Sequence, residues 1–180
     1  MAAEMTERIK AKMGMARAWL QDAIGKSNDE VLEILRERRE TIVGAIKRQS
    51  EAQSRFSPAE GEWCTQEVGR HMTYSHRNIS ALMRMLAAGK TMEGEPKIGI
   101  APEGAEDVDT ICVELGDAFD KLQEAFEVVC SDGANLEITF GHPWFGDLNA
   151  RGWFVFCSLH TTAHISQIER IVASEGFPEN

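Results

Sequence analysis

The chain carries near its end the stretch WFVFCSLHTTAHISQIERI, residues 153–171. Projected on a helix at about 100° per residue, its apolar residues fall on one side together with His160 and His164. Both imidazoles are therefore predicted to point into a protein core. The opposite side carries Ser158, Ser166, Glu169 and Arg170. This pattern predicts an amphipathic helix over about 149–175 that ends at Gly176.

Four upstream segments show the same three- and four-residue apolar spacing. They cover about residues 4–24, 28–54, 65–88 and 107–130. Ser27 followed by Glu30 forms a capping box, which marks the start of the second segment. Residues 89–105 are expected to form a loop, and residues 135–146 to be irregular or briefly extended. Little strand signal competes with the helices, so the sequence predicts an all-α fold.

The last four helices are long, amphipathic and joined by short or moderate connections, which is typical of a four-helix bundle. The chain is therefore divided into an N-terminal helical extension, residues 1–26, and a four-helix bundle, residues 27–180. The additional N-terminal helix is expected to pack on the outside of the bundle or against a second subunit.

Composition excludes several classes of function. The 180 residues include 19 basic and 29 acidic side chains, a net charge of −10, which argues against binding nucleic acid through its phosphates. No apolar run reaches the ~20 residues of a membrane-spanning helix, and no export signal is apparent, so a cytoplasmic protein is expected. The four cysteines form no Cys-x-x-Cys pair and are expected to be reduced thiols.

Three of the five histidines are predicted to face the core. His160 and His164 lie one helical turn apart, about 5–6 Å between Cβ atoms. His71 falls on the inner side of the 65–88 helix, whereas His76 is predicted to face away from the core. Buried imidazoles need partners, and three of them can share one metal ion and leave a coordination position open. Core histidines that hydrogen-bond one another are the alternative.

Two well-known metal motifs do not fit this spacing. A zincin needs Glu directly after its first His, and Thr161 stands there instead. A ferritin-like di-iron site needs Glu three residues before His; Val68, Cys157 and Thr161 hold those positions. A mononuclear site is therefore favoured over a dinuclear one.

Two segments resemble signatures of the DinB/YfiT-like superfamily. The stretch GEWCTQEVGRHM, residues 61–72, is similar to the family's second-helix motif, in which a Trp, a small polar residue and an acidic residue precede His. PWFG at 143–146, followed by HTTAHISQ at 160–167, is similar to its last-helix signature. The similarity covers about residues 28–178. It implies a four-helix bundle with a divalent metal ion held by His71, His160 and His164.

The resemblance also implies a kind of chemistry. Family members include transferases and isomerases that use low-molecular-weight thiols such as bacillithiol or mycothiol. They often form dimers, and zinc or nickel is their usual metal, while iron also suits imidazole ligands. We therefore expect a homodimer that transfers such a thiol to a small-molecule substrate, or that hydrolyses a small substrate.

Supporting roles and other functions stay open at this point. Glu67, one turn before His71, and Gln167 are candidates to orient a ligand, although Glu67 also suits a helix N-terminus electrostatically. His142 is a candidate proton shuttle or substrate contact, set against the expectation of a solvent-exposed loop histidine. A non-enzymatic metal- or ligand-binding bundle and a dimerising interaction protein are the alternative functions.

Overall fold

The computed structural model describes residues 2–94, 99–104 and 107–179. Within these ranges the chain forms six helices and one two-stranded sheet. The elements are α1 (Ala2–Ile24), α2 (Asn28–Lys47), α3 (Glu51–Ser54), α4 (Thr65–Ala87), α5 (Val108–Val129), β1 (Thr139–His142), β2 (Gly146–Asn149) and α6 (Ala150–Val172). Every helix in these ranges is too short or too polar to cross a lipid bilayer.

Helices α2, α4, α5 and α6 form the four-helix bundle that the sequence predicts. α2 and α4 each pack against both α5 and α6, because all four present apolar residues at helical spacing. Phe119, Phe126 and Phe154 are all less than 2% exposed, and the rings of Phe126 and Phe154 stack with centroids 3.8 Å apart. This packing places the inward residues of α4 directly beside those of α6.

The capping box predicted for α2 is present, since Ser27 Oγ accepts the N–H of Glu30 and the Glu30 carboxylate accepts the N–H of Ser27. The helix nevertheless ends at Lys47 rather than near residue 54. A second capping box, formed by Ser50 and Gln53, starts the short helix α3. The Ser50 side chain offers the backbone hydrogen bonds that compete with helix continuation, which explains the early end of α2.

Residues 139–149 form an antiparallel hairpin, where the sequence analysis expected irregular or briefly extended structure. The register pairs Phe140 with Leu148, and both side chains are buried. Each strand has only four residues, the shortest run in which a two-residue alternation is recognised, and each contains one large apolar residue, Phe140 or Leu148. The indole N–H of Trp153 donates to the carbonyl of Phe140 (3.2 Å) and attaches the hairpin to the start of α6.

Helix α1 packs against α6 of the same chain, outside the four-helix bundle. Leu20 and Ala23 are buried. The guanidinium of Arg151 on α6 donates to the carbonyls of Ile24 and Lys26, at and just beyond the end of α1. The N-terminal helix that the sequence predicts is therefore held to α6 by both apolar packing and charged hydrogen bonds.

Candidate metal centre

Three imidazoles from two neighbouring helices converge at one place. His160 and His164 lie one turn apart on α6, and His71 lies in the second turn of α4. Nε2 of His160 is 3.1 Å from Nε2 of His71 and 3.0 Å from Nε2 of His164. One nitrogen from each residue lies within 4.8 Å of the other two. The structure thus brings together the three histidines that the sequence analysis selected as ligands.

Hydrogen bonds at the second ring nitrogen orient two of the three imidazoles. Nδ1 of His71 lies 2.7 Å from the carbonyl oxygen of Ile100, and Nδ1 of His164 lies 2.8 Å from Oε1 of Gln167. A carbonyl oxygen can only accept, so each Nδ1 carries the proton and donates it. Each Nε2 then presents a lone pair to the centre, as in metal-bound histidines that have an outer acceptor.

The three converging nitrogens cannot fully satisfy one another. Nε2 of His160 can carry at most one hydrogen, so at most one of its two short N···N contacts can be a linear hydrogen bond. Nδ1 of His160 is buried and has no hydrogen-bond partner within the part of the chain that the structure describes. Nitrogens bound to a tetrahedral ion at ~2.0–2.1 Å lie about 3.3 Å apart, close to the separations of 3.0 and 3.1 Å from Nε2 of His160. The donor set therefore fits a divalent transition-metal ion.

Burial keeps the imidazoles of the centre neutral near pH 7. Loss of hydration lowers the pKa of His71, lowers the pKa of His164 to about 4 and holds the pKa of His160 well below its usual range. For His71 the hydrogen bond with Ile100 partly opposes this shift of the pKa. Neutral imidazole is the form that binds metals, so protons do not compete with a cation for these nitrogens at neutral pH.

Aromatic rings shield the centre. The ring of Trp63 lies 4.9 Å from that of His71 and stacks on His164 with centroids 6.3 Å apart. The ring of Phe156 stacks on His160 at 5.4 Å. His71 is buried, whereas His160 and His164 are only half-buried. The cluster is therefore covered by apolar surface and still reachable by a small molecule.

Glu67 lies at the start of α4, where its carboxylate accepts the backbone N–H of Cys64 at 2.8 Å. A carboxylate is favourable here because it binds a free backbone N–H at the positive end of the helix dipole. This is the alternative to an orienting role that the sequence offers for Glu67. None of the hydrogen bonds within the described ranges joins Glu67 to an imidazole. The outer acceptors of the centre are instead Ile100 and Gln167.

The expectation of a solvent-exposed loop histidine at position 142 is wrong. His142 is 5% exposed, and its Nδ1 accepts the N–H of Trp144 at 3.2 Å. Its ring packs on Phe156 with centroids 4.5 Å apart, so Phe156 stands between it and His160. Burial lowers the pKa of His142 to about 4. The hairpin folds back on α6, and this long-range contact is what buries the ring.

The prediction that His76 faces away from the core is also wrong. His76 is fully buried, its ring lies 4.5 Å from that of Phe119 on α5, and its Nε2 lies 3.5 Å from Oγ1 of Thr161 on α6. Because α4 packs against both α5 and α6, its buried arc is wider than the single stripe that the helical projection assumed. Burial lowers the pKa of His76 to about 3.

The carbonyl of Ile100, which accepts a hydrogen bond from His71, could not be identified from the sequence as part of the centre. Every residue carries a carbonyl, so no sequence signal marks the one that a loop places against His71. The position of Trp63 over two of the imidazoles also became visible only in the structure; its place eight residues before His71 was the one available hint.

A family model and a solved structure match the chain. The model of the DinB superfamily matches residues 34–168, about three quarters of the sequence. The crystal structure of TT2238, a four-helix bundle protein, has a TM-score of 0.61 and 22% identity, and the match covers 80% of this chain and 99% of that chain; it shows the fold. No curated protein matches. The chain belongs to the DinB superfamily.

Proposed function

We propose that this protein is a mononuclear, divalent-metal-dependent enzyme that acts on small molecules. The metal ligands are the Nε2 atoms of His71, His160 and His164. The observation that carries the proposal is the approach of Nε2 of His160 to within 3.1 Å of Nε2 of both His71 and His164, with the last two rings held in the ligating tautomer by outer acceptors. Zinc and nickel are the metals that we expect, and iron is a third that suits imidazole ligands.

Three protein ligands leave one coordination position open. A divalent ion bound in such a site lowers the pKa of a water molecule or a thiol at that position and so makes a nucleophile available at neutral pH. The chain's own groups prepare the site: Gln167 and the carbonyl of Ile100 hold the ring orientation, and Trp63 excludes water from the flank of His71 and His164.

Transfer of a low-molecular-weight thiol to an electrophile is the reaction that we favour, and hydrolysis is the second candidate. The support is the composition of the centre. Hydrolysis benefits from a general base that takes the proton of the attacking water, and the potential metal-ligand cluster found within the described ranges contains imidazoles and no carboxylate. A thiol bound to such an ion would release its proton to bulk water at neutral pH, because the ion would lower a pKa that already lies below that of water, so thiol transfer would need no such base.

Metal content separates this proposal from a cluster of histidines that merely hydrogen-bond one another. Protein purified without a histidine tag and loaded with zinc or nickel is expected to hold one equivalent by mass spectrometry of the metal. H160A and H164A are expected to lose it. H142Q, which removes a buried histidine outside the centre, is the matched control and is expected to keep it. Circular dichroism establishes that each variant folds. Full occupancy in H160A and H164A would refute the ligand assignment.

Turnover separates an enzyme from a non-enzymatic metal-binding bundle. Metal-loaded protein is assayed for conjugation of a panel of small thiols, including cysteine, glutathione, bacillithiol and mycothiol, to monochlorobimane, and for hydrolysis of small esters. Conjugation is expected, and it should disappear on chelation and in H160A. Absence of both activities with full metal occupancy would favour the binding module.

A further inference from the structure

A groove of about 580 Å³ lies beside the candidate metal centre. It runs between the turn at residues 58–63 and the last turns of α6. Trp63 and Gln167 line this groove, and both are neighbours of His164: the Trp63 ring stacks on it at 6.3 Å between centroids, and Gln167 binds its Nδ1. The groove therefore starts one side chain away from the converging Nε2 atoms.

Arg170 brings a positive charge to this groove. Its guanidinium forms no hydrogen bond or ion pair with a side chain in the described ranges. Several other surface arginines are paired with carboxylates, namely Arg36, Arg39, Arg77 and Arg84. Arg170 thus keeps its charge available in a chain whose net charge is −10, although Glu62 lines the same groove.

Arg170 also lies near the outer acceptor of His164. It follows Gln167 by one turn of α6, and Oε1 of Gln167 accepts the hydrogen bond from Nδ1 of His164 at 2.8 Å. A guanidinium presents a planar fork of N–H donors that matches a carboxylate. A bound carboxylate would therefore lie near the centre without entering it.

We propose that this groove binds the carboxylate of a small thiol substrate. Arg170 holds the carboxylate, the ring of Trp63 covers the apolar part of the molecule, and the sulfur extends past Gln167 to the metal centre. Binding of the sulfur at the metal centre rests on the proposed function, whereas binding of the carboxylate by Arg170 does not. The carboxylate of Glu62, which lines the same groove, repels ligands that carry a second negative charge.

Two thiols of equal length test the carboxylate contact. Mercaptopropionate and mercaptopropanol are titrated into cobalt-loaded protein, and the thiolate-to-cobalt charge-transfer absorbance reports binding. The wild type is expected to bind mercaptopropionate more tightly by roughly five-fold, as for one exposed charge pair. R170Q is expected to lose this preference, R170K to keep part of it and E62Q to increase it. The affinity for mercaptopropanol should stay the same in all four proteins.

The matched control is R36Q, which removes an arginine from α2 that does not line this groove. This variant is expected to keep the preference for mercaptopropionate. An equal preference in R170Q and the wild type would overturn the inference while leaving the metal centre in place. If cobalt does not load, the proposed function fails, and the groove is tested separately. Chelator-treated protein is then titrated with benzoate and with benzamide, and the NMR shift of the Trp63 indole N–H, assigned with W63F, reports binding.

In that metal-free titration, a shift with benzoate that is weaker in R170Q supports the carboxylate subsite. A shift of equal size in R170Q, or with benzamide, overturns it, and so does the lack of any shift.

Discussion

The bundle holds two kinds of histidine between α4 and α6, and they differ in what their ring nitrogens contact. In the candidate centre, Nε2 of His160 lies 3.1 Å from Nε2 of His71 and 3.0 Å from Nε2 of His164. His76 instead packs on a phenyl ring, has one hydroxyl at 3.5 Å and leaves Nδ1 without a partner in the described ranges. Burial lowers the pKa in both places. Burial alone therefore does not mark a candidate ligand. Convergence of the nitrogens does, and outer acceptors support it at His71 and His164.

Replacing one histidine of α4 at a time tests this contrast most strongly. His71→Leu is expected to weaken zinc binding by more than ~100-fold, because losing a ligand exceeds the 10–100-fold cost of losing its outer partner. His76→Leu is expected to leave zinc affinity unchanged, since its imidazole lies outside the centre. Competition with a chromophoric chelator measures both affinities. Equal losses of zinc affinity in the two folded variants would contradict the assignment of His71, and not His76, to the metal centre.

The outer acceptor of His164 offers the next largest effect. Gln167→Leu removes the oxygen that holds Nδ1–H of His164 and is expected to weaken metal binding by ~10–100-fold. Gln123→Leu on α5 is the matched control and should have no effect. Isothermal titration calorimetry of both variants with zinc measures the difference. Wild-type affinity in Gln167→Leu would mean that packing alone orients the His164 ring.

The buried imidazole of His76 predicts a pH dependence of stability in the metal-free protein. Its pKa of about 3 lies below the ~6.5 of an unfolded histidine, so between these values the unfolded chain binds more protons. The free energy of unfolding therefore falls as pH decreases through this window, with a slope of up to ~1.4 kcal/mol per pH unit from this group. Below the lower value no further loss arises from His76.

His76→Leu is expected to flatten that slope, as measured by urea unfolding of chelator-treated protein between about pH 7 and pH 5. The change leaves no unpaired hydroxyl, because Oγ1 of Thr161 already donates to the carbonyl of Cys157 at 2.7 Å. The remaining slope comes from the other buried histidines. A slope identical to that of the wild type would contradict the buried position of His76.

Glu67 gives the smallest expected effect. Glu67→Ala removes the acceptor for the backbone N–H of Cys64 and is expected to lower the free energy of unfolding by about 0.5–1 kcal/mol. Metal affinity should not change, because the carboxylate of Glu67 binds the backbone at the start of α4 and not an imidazole. Glu67→Gln retains an oxygen acceptor without the charge, so its free energy of unfolding is expected to lie between those of the wild type and Glu67→Ala. Thermal unfolding measures the stability, and zinc titration measures the metal affinity. A large loss of zinc affinity in Glu67→Ala would indicate that Glu67 helps to orient a metal ligand.

The sequence was sufficient to predict the bundle because helical periodicity is a local property. The apolar stripes of α4, α5 and α6 predicted helices whose ends agree with the structure to within a few residues. The prediction failed where local signals compete or where elements are short. The Ser50 capping box ended α2 early, and the hairpin at 139–149 offered only four residues in each strand.

The sequence by itself determined that His160 and His164 lie one turn apart on an apolar helical face, since residue spacing and the helix period suffice for that conclusion. Only the tertiary structure decided that Nε2 of His71 meets them, that a loop brings the carbonyl of Ile100 to its Nδ1, and that His76 is buried beside them. Which helices become neighbours, and which loop folds back over them, depends on packing between residues distant in the chain, and a helical period contains no information about it.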